Sequence, residues 1–159
     1  VEELRENKHR ALVFSQFVSH LAIVRRALDE LGIKYQYLDG SSPMNEREQS
    51  VKKFQKGDGD LFLISLKAGG LGLNLTAADF VIHLDPWWNV SAENQASDRS
   101  HRIGQTRNVE VIKLICEDSI EQRVIELQNK KKDLIDRMIS NDDSSVVSAS
   151  LEDIRFILD

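Results

Sequence analysis

Apolar and polar positions follow two rhythms along this chain. Short, near-continuous apolar runs at Ala11–Ser15, Leu61–Ser65 and Phe80–Leu84 read as strands, Leu61–Ser65 of the buried type, and Lys34–Leu38 and Val109–Ile115 read as two more. Between them, apolar residues recur at helical spacing. Val18 to Leu31 places Leu21, Val24, Leu28 and Leu31 inward, and Gly32 closes that helix. Asp39-Gly40-Ser41-Ser42 is a turn, with Ser42 as N-cap and Pro43 in the first helical position. Met44 to Gln55 then forms a helix with Met44, Val51 and Phe54 inward, broken by Gly57-Asp58-Gly59. Lys67 to Asn74 is a glycine-rich loop, and Ala92 to Ser100 a short helix. Ser119 caps a long helix, with Gln122 as its capping-box partner. Its stripe is Ile120, Val124, Leu127, Leu134 and Met138, interrupted by Lys131. Asn141–Ser145 is a polar linker, and Leu151 to Leu158 a last short helix.

Strands alternating with helices predict an α/β fold, a parallel sheet with helices on both faces. Such sheets bind ligands at the carboxyl ends of their strands. The segments expected there are Ser15-Gln16, Asp39–Ser42, Lys67–Asn74 and Asp85–Asn89, the least core-like stretches of the chain.

Composition narrows the chemistry. At 159 residues, the chain is long enough to bury a core without staples. The single Cys116 excludes an internal disulfide and every zinc site built on several cysteines. His9, His20, His83 and His101 show no metal-ligand spacing. No apolar run is long enough to span a membrane, and the charged start, VEELRENKHR, is not a signal peptide. The net charge of −5 argues against a strongly basic nucleic-acid module. Residues 140–159 carry most of it, with five acids against one base, so the near-neutral body can still focus a local basic groove.

Three segments carry distinctive chemistry. Ala68–Asn74 resembles neither a phosphate-binding P-loop, lacking a closing Gly-Lys-Ser/Thr, nor the dinucleotide fingerprint; it is either a phosphate contact or a tight connection. In Gln95–Gln105, Arg99 and Arg102 share a helical face, and two guanidiniums suit a terminal phosphate, or else form a solvated charged surface. Trp87 and Trp88 follow a strand, to meet a nucleic acid or to fill core. Lys130-Lys131-Lys132 reads as a solvated face, with nucleic-acid contact as the alternative.

Together the motifs resemble one family. Leu63-Ile-Ser-Leu-Lys-Ala-Gly-Gly-Leu-Gly-Leu-Asn-Leu75, Asp85-Pro-Trp-Trp-Asn89 and Gln95-Ala-Ser-Asp-Arg-Ser-His-Arg-Ile-Gly-Gln105 look like the Swi/Snf family of helicase-like, DNA-translocating ATPases in helicase superfamily two. Ala11–Phe17 and Tyr37–Ser42 resemble its preceding motifs, in the same order. The resemblance covers residues 8–139 and implies a RecA-like, three-layer lobe over 1–139, with a brace helix at about 119–139 and an acidic tail at 140–159. The family carries two such lobes, the first holding the phosphate-binding loop; none occurs here, so the resemblance implies that this chain would be the second. ATP and Mg2+ would be held mainly by the first lobe, so the isolated chain is expected to be inactive, and no metal site is expected in it.

By motif match, Arg99 and Arg102 would be arginine fingers, with Gly72, Asn74 and Gln95 near ATP. Lys67 and Trp88 would touch DNA, while Ser15, Gln16, Gly40, Ser41 and Ser42 would hold phosphates of the tracked strand, mainly through backbone N–H groups. The implied partners are double-stranded DNA and the first lobe of the same protein, not a membrane. Copies are also expected to pair through an exposed C-terminal helix bearing Ile135, Met138 and Ile139. Val90 stands where the family usually has proline. The motifs have a bacterial or archaeal flavour, implying a cytoplasmic protein, or a nuclear one if eukaryotic. An RNA-helicase lobe and a non-catalytic α/β nucleic-acid-binding module are the alternatives.

Overall fold

The computed structural model describes residues 2–69, 74–86 and 108–129. Its elements are α1 (Glu2–Glu6), β1 (Ala11–Ser15), α2 (Val18–Glu30), β2 (Tyr35–Leu38), α3 (Met44–Gln55), β3 (Leu61–Ser65), α4 (Leu66–Gly69), β4 (Phe80–His83) and β5 (Glu110–Lys113). Residues 120–129 are also helical. The five strands form one sheet in the order β2-β3-β1-β4-β5, with every pairing parallel. This is the RecA-like α/β architecture that the sequence implied.

Successive side chains on a strand point to opposite faces, so each apolar strand feeds two cores. Leu12 and Phe14 join Phe62, Ile64, Leu38 and Val81 beneath Phe54 of α3. Ala11 and Val13 join Leu61 and Leu63 beneath Leu21 and Leu28 of α2. The chain moves one way across the sheet through α2 and back through α3, and right-handed crossovers therefore put these helices on opposite faces. Fully burying a side chain such as Phe54 contributes about 1.5–3 kcal/mol. Phe54 also packs on Phe62 at 5.2 Å between ring centroids, and the Arg10 guanidinium lies 4.0 Å above its ring. Arg10 donates to the Phe54 carbonyl and, at 3.1 and 3.3 Å, to the Gly59 carbonyl, and its burial lowers its pKa.

The end of α2 shows why Gly32 stands there. Its φ of +64° lets its N–H reach the Asp29 carbonyl at 3.1 Å and the Ile33 N–H reach Leu28 at 2.9 Å. That pair of bonds satisfies carbonyls the helix would leave open and drops Ile33 into the core.

Several expectations are corrected. Leu31 is the C-cap of α2 and is exposed, not inward. Pro43, not Ser42, is the N-cap of α3, because the Ser42 hydroxyl accepts from the Asp39 N–H at 3.1 Å. Met44 opens α3 at the solvent edge and is 70% exposed. The start of the expected glycine-rich loop is the helical turn α4. β5 is shorter than its apolar run and mostly exposed. The Ser119 hydroxyl accepts the Glu121 N–H at 3.2 Å, as a cap should, but the Gln122 side chain accepts from Asp118 at 3.3 Å instead of closing the box on Ser119. No apolar period in the sequence marks α1; Leu4 packs it on the sheet and Arg5 pairs with Asp60 at 3.2 Å. The helix expected at Ala92–Ser100, residues 130–139 of the long helix, the Asn141–Ser145 linker and the Leu151–Leu158 helix lie outside the described residues.

Candidate nucleic-acid interface at the carboxyl edge of the sheet

Because all five strands are parallel, their carboxyl ends share one edge. Register fixes the neighbours: Leu38 pairs with Ile64, Ser65 with Ser15, and Phe14 with His83. The edge therefore runs from the Asp39–Ser42 turn, through α4 with Lys67, to Ser15-Gln16 and then Asp85-Pro86. Segments scattered over about seventy residues of sequence, from Ser15 to Pro86, become adjacent.

The Asp39–Ser42 turn is built around two charges. The Asp39 carboxylate accepts the Ser41 N–H at 2.8 Å, the Ser41 hydroxyl at 2.6 Å and the Tyr37 hydroxyl at 2.6 Å. Those bonds, the Ser41 and Tyr37 hydroxyls foremost, hold its pKa down at about 2. Partial burial, then the bond to Asp39, pushes Tyr37 up to about 12. Arg47 of α3 donates to the carbonyls of Ser42 (2.7 Å), Gly40 (3.1 Å) and Asp39 (3.3 Å). Of the residues expected to hold a phosphate here, the Ser41 and Ser42 amides are thus engaged within the turn, the second by Asp39 O at 3.3 Å.

The neighbouring loop is held by a residue that motif matching assigned no role. Asp85 is buried, accepts the Gln16 N–H at 2.9 Å and the Ser15 hydroxyl, and lies 3.4 Å from His20 Nδ1. The Phe17 N–H donates to the Ser15 oxygen at 3.0 Å. The Gln16 amide, expected to hold a phosphate, is therefore occupied by a carboxylate, and Ser15 is fully buried. The sequence signal for Asp85 was present, an acid ending an apolar strand, but nothing local says which amide it meets. Lys67 is exposed on α4 and Asn74 is exposed, its carbonyl accepting from Gln55 Nε2 at 2.8 Å. Gly72, Trp88, Gln95, Arg99 and Arg102 lie outside the described residues.

Three of the histidines have structural settings. His9 bonds Asp79 at 2.7 Å at the opposite edge, His20 faces Asp85, and His83 stacks on Phe14 at 5.6 Å. Among the described residues, no group of His, Cys, Asp or Glu could hold a metal ion, and no helix is long and apolar enough to cross a membrane.

The model of the helicase conserved C-terminal domain matches residues 1–104. An uncharacterized ATP-dependent helicase, MG018, of Mycoplasma genitalium is 39% identical over 155 residues, which is 97% of this chain and 15% of that protein. The ATP-dependent helicase rhp16 of Schizosaccharomyces pombe is 41% identical over 163 residues, 99% of this chain and 19% of that protein. The chain thus spans under a fifth of the length of both relatives. The crystal structure of the C-terminal part of the Fun30 ATPase domain superposes with a TM-score of 0.74 at 39% identity, covering 77% of this chain and 40% of that one.

Proposed function

This chain belongs to the helicase conserved C-terminal domain family, as a lobe of the Swi/Snf type, and on that premise we propose that it is the second motor lobe of an ATP-dependent translocase on double-stranded DNA. The observation that carries the reading is the shared carboxyl edge, where Gly40, Lys67, Gln16 and the segment entering Trp87-Trp88 follow four neighbouring parallel strands. A row of loops and one exposed lysine suits a phosphate backbone, which is gripped without reading sequence.

In this reading the lobe takes residues 1–139 and the acidic tail 140–159. The first lobe belongs to the same polypeptide and holds ATP with Mg2+. Bound ATP supplies the phosphoryl bond whose hydrolysis drives the cycle. Arg99 and Arg102 stabilise charge on its terminal phosphate, supported by Gln95, with Gly72 and Asn74 beside the nucleotide. Lys67, Trp88 and the Gly40–Ser42 turn grip the tracked duplex, and Ser15 and Gln16, bound to Asp85, frame that grip. Without its partner lobe the chain hydrolyses no ATP. The protein works where DNA lies, in the cytoplasm of a prokaryote or the nucleus of a eukaryote.

The test is ATP hydrolysis by the two-lobe protein with duplex DNA, single-stranded DNA or RNA, beside Arg102→Ala. Duplex-specific stimulation that falls by about 10³ in the variant is expected. Stimulation by RNA alone would make this an RNA-helicase lobe, and unchanged turnover in the variant would remove Arg102 from its role.

A further inference from the structure

We propose that Arg47 is a positioning residue that aims the Gly40 amide outward at a backbone phosphate; this rests on the nucleic-acid reading above. Three observations converge on it. First, the Arg47 guanidinium gathers three carbonyls of one four-residue turn, those of Asp39, Gly40 and Ser42. It makes no ion pair among the described residues. Arg47 also stands in the first turn of α3, where the positive end of the helix disfavours a cation. A charge kept in an unfavourable place, and spent wholly on carbonyls, has a job in shaping that turn.

Second, the peptide geometry gives the shape a direction. In a trans peptide the C=O and the following N–H point opposite ways. With the Asp39 carbonyl turned to Arg47, the Gly40 N–H points away from the guanidinium. Of the turn's other amides, Asp39 donates to the Ser42 hydroxyl, Ser41 to the Asp39 carboxylate and Ser42 to the Asp39 carbonyl. Gly40 is the one amide of Asp39–Ser42 with no partner among the described residues.

Third, the fold does not require glycine at position 40. Its φ is not positive, and a Cβ built there meets nothing within 4 Å. A glycine dispensable to the chain leaves open space over an unpaired amide, which is what close approach of a ligand oxygen needs. Arg47 thus supplies both the orientation of the donor and a fixed positive charge behind it.

The experiment measures duplex-DNA affinity of the two-lobe protein against salt concentration, for the parent, Arg47→Ala, Arg47→Lys and Gly40→Ala, each with a thermal melt. Gly40→Ala is expected to melt with the parent yet bind about fivefold more weakly, because a methyl group blocks the approach. Arg47→Ala is expected to bind about tenfold more weakly, with the slope of log affinity against log salt reduced by about 0.9, one phosphate contact. Arg47→Lys should not restore binding, since an ammonium lacks the planar fork that holds several carbonyls at once. A purely structural role would lower the melting temperature and leave the slope alone. Parental affinity in Gly40→Ala or in Arg47→Lys, or a parental slope in folded Arg47→Ala, overturns the proposal. A parent protein that binds no duplex DNA overturns the nucleic-acid reading itself, and this inference with it.

Discussion

The Asp85 carboxylate accepts the Gln16 N–H at 2.9 Å, joining the end of β4 to the first loop of the sheet across 69 residues of chain. The same carboxylate takes the Ser15 hydroxyl, so one buried acid fixes two of the loops on the carboxyl edge. Removing it leaves the Gln16 amide without its acceptor and the buried Ser15 hydroxyl with only the Phe17 carbonyl, 3.2 Å away. Asp85→Ala is expected to lose about 2–3 kcal/mol in urea unfolding, and Asp85→Asn clearly less, because its amide oxygen still accepts from Gln16. Equal midpoints for Asp85→Ala and the parent would show that the contact contributes nothing to stability.

The glycines rank themselves by conformation and space. Gly32 has φ +64° with open surroundings, whereas Gly59 has φ +106° and its Cβ would come within 3.3 Å of the Tyr35 backbone. Gly32→Ala should cost about 1–2 kcal/mol for the left-handed conformation alone. Gly59→Ala adds a clash with backbone that cannot move aside, and should cost about 2–3 kcal/mol. Unfolding midpoints in the order Gly32→Ala above Gly59→Ala check this; the reverse order would refute it.

Asp39 and Tyr37 share a 2.6 Å hydrogen bond and titrate at opposite ends of the pH scale. The Asp39 carboxyl, held at about 2, contributes stability above the ordinary carboxylate range that is lost as pH falls from about 4 through about 2. Tyr37, held up at about 12, contributes stability below about 10 that is lost as pH rises through about 12. Urea midpoints followed over pH should fall less steeply below pH 4 in Asp39→Asn than in the parent. Ultraviolet titration should lose its transition near pH 12 in Tyr37→Phe. An unchanged acid limb in Asp39→Asn would show that the turn does not hold the carboxylate.

Lys67 sits exposed on a single helical turn between the two loops of the candidate grip. Nothing in the described core depends on its side chain, so Lys67→Ala should leave the melting temperature within about 1 °C. Duplex affinity should weaken to a similar extent for unrelated sequences, with the salt slope reduced by about 0.9. Sequence-dependent loss would mean that Lys67 reads bases rather than phosphates.

Local pattern was enough for the five strands, for α2 and α3, and for the family. β1 and β3 appeared as unbroken apolar runs because a central parallel strand is covered on both faces, and hydrophobicity is the signal such burial leaves. The Gly32 cap was readable because only a local φ decides it. Local signals failed where the deciding contact lay elsewhere. Ser42 reads as an N-cap until the Asp39 N–H claims its hydroxyl. Met44 reads as core until the sheet places the start of α3 at the solvent edge. α1 carries one apolar residue, Leu4, in a charged segment, and only its contact with the sheet shows it to be anchored. The candidate site divides in the same way. Its motifs were recognisable as residue patterns, but the pairing of Asp85 with Gln16 and the three carbonyls gathered by Arg47 were not. Periodicity and composition record which residues avoid water; strand order and register decide which distant polar groups meet, and hydrogen bonds are made only where they meet.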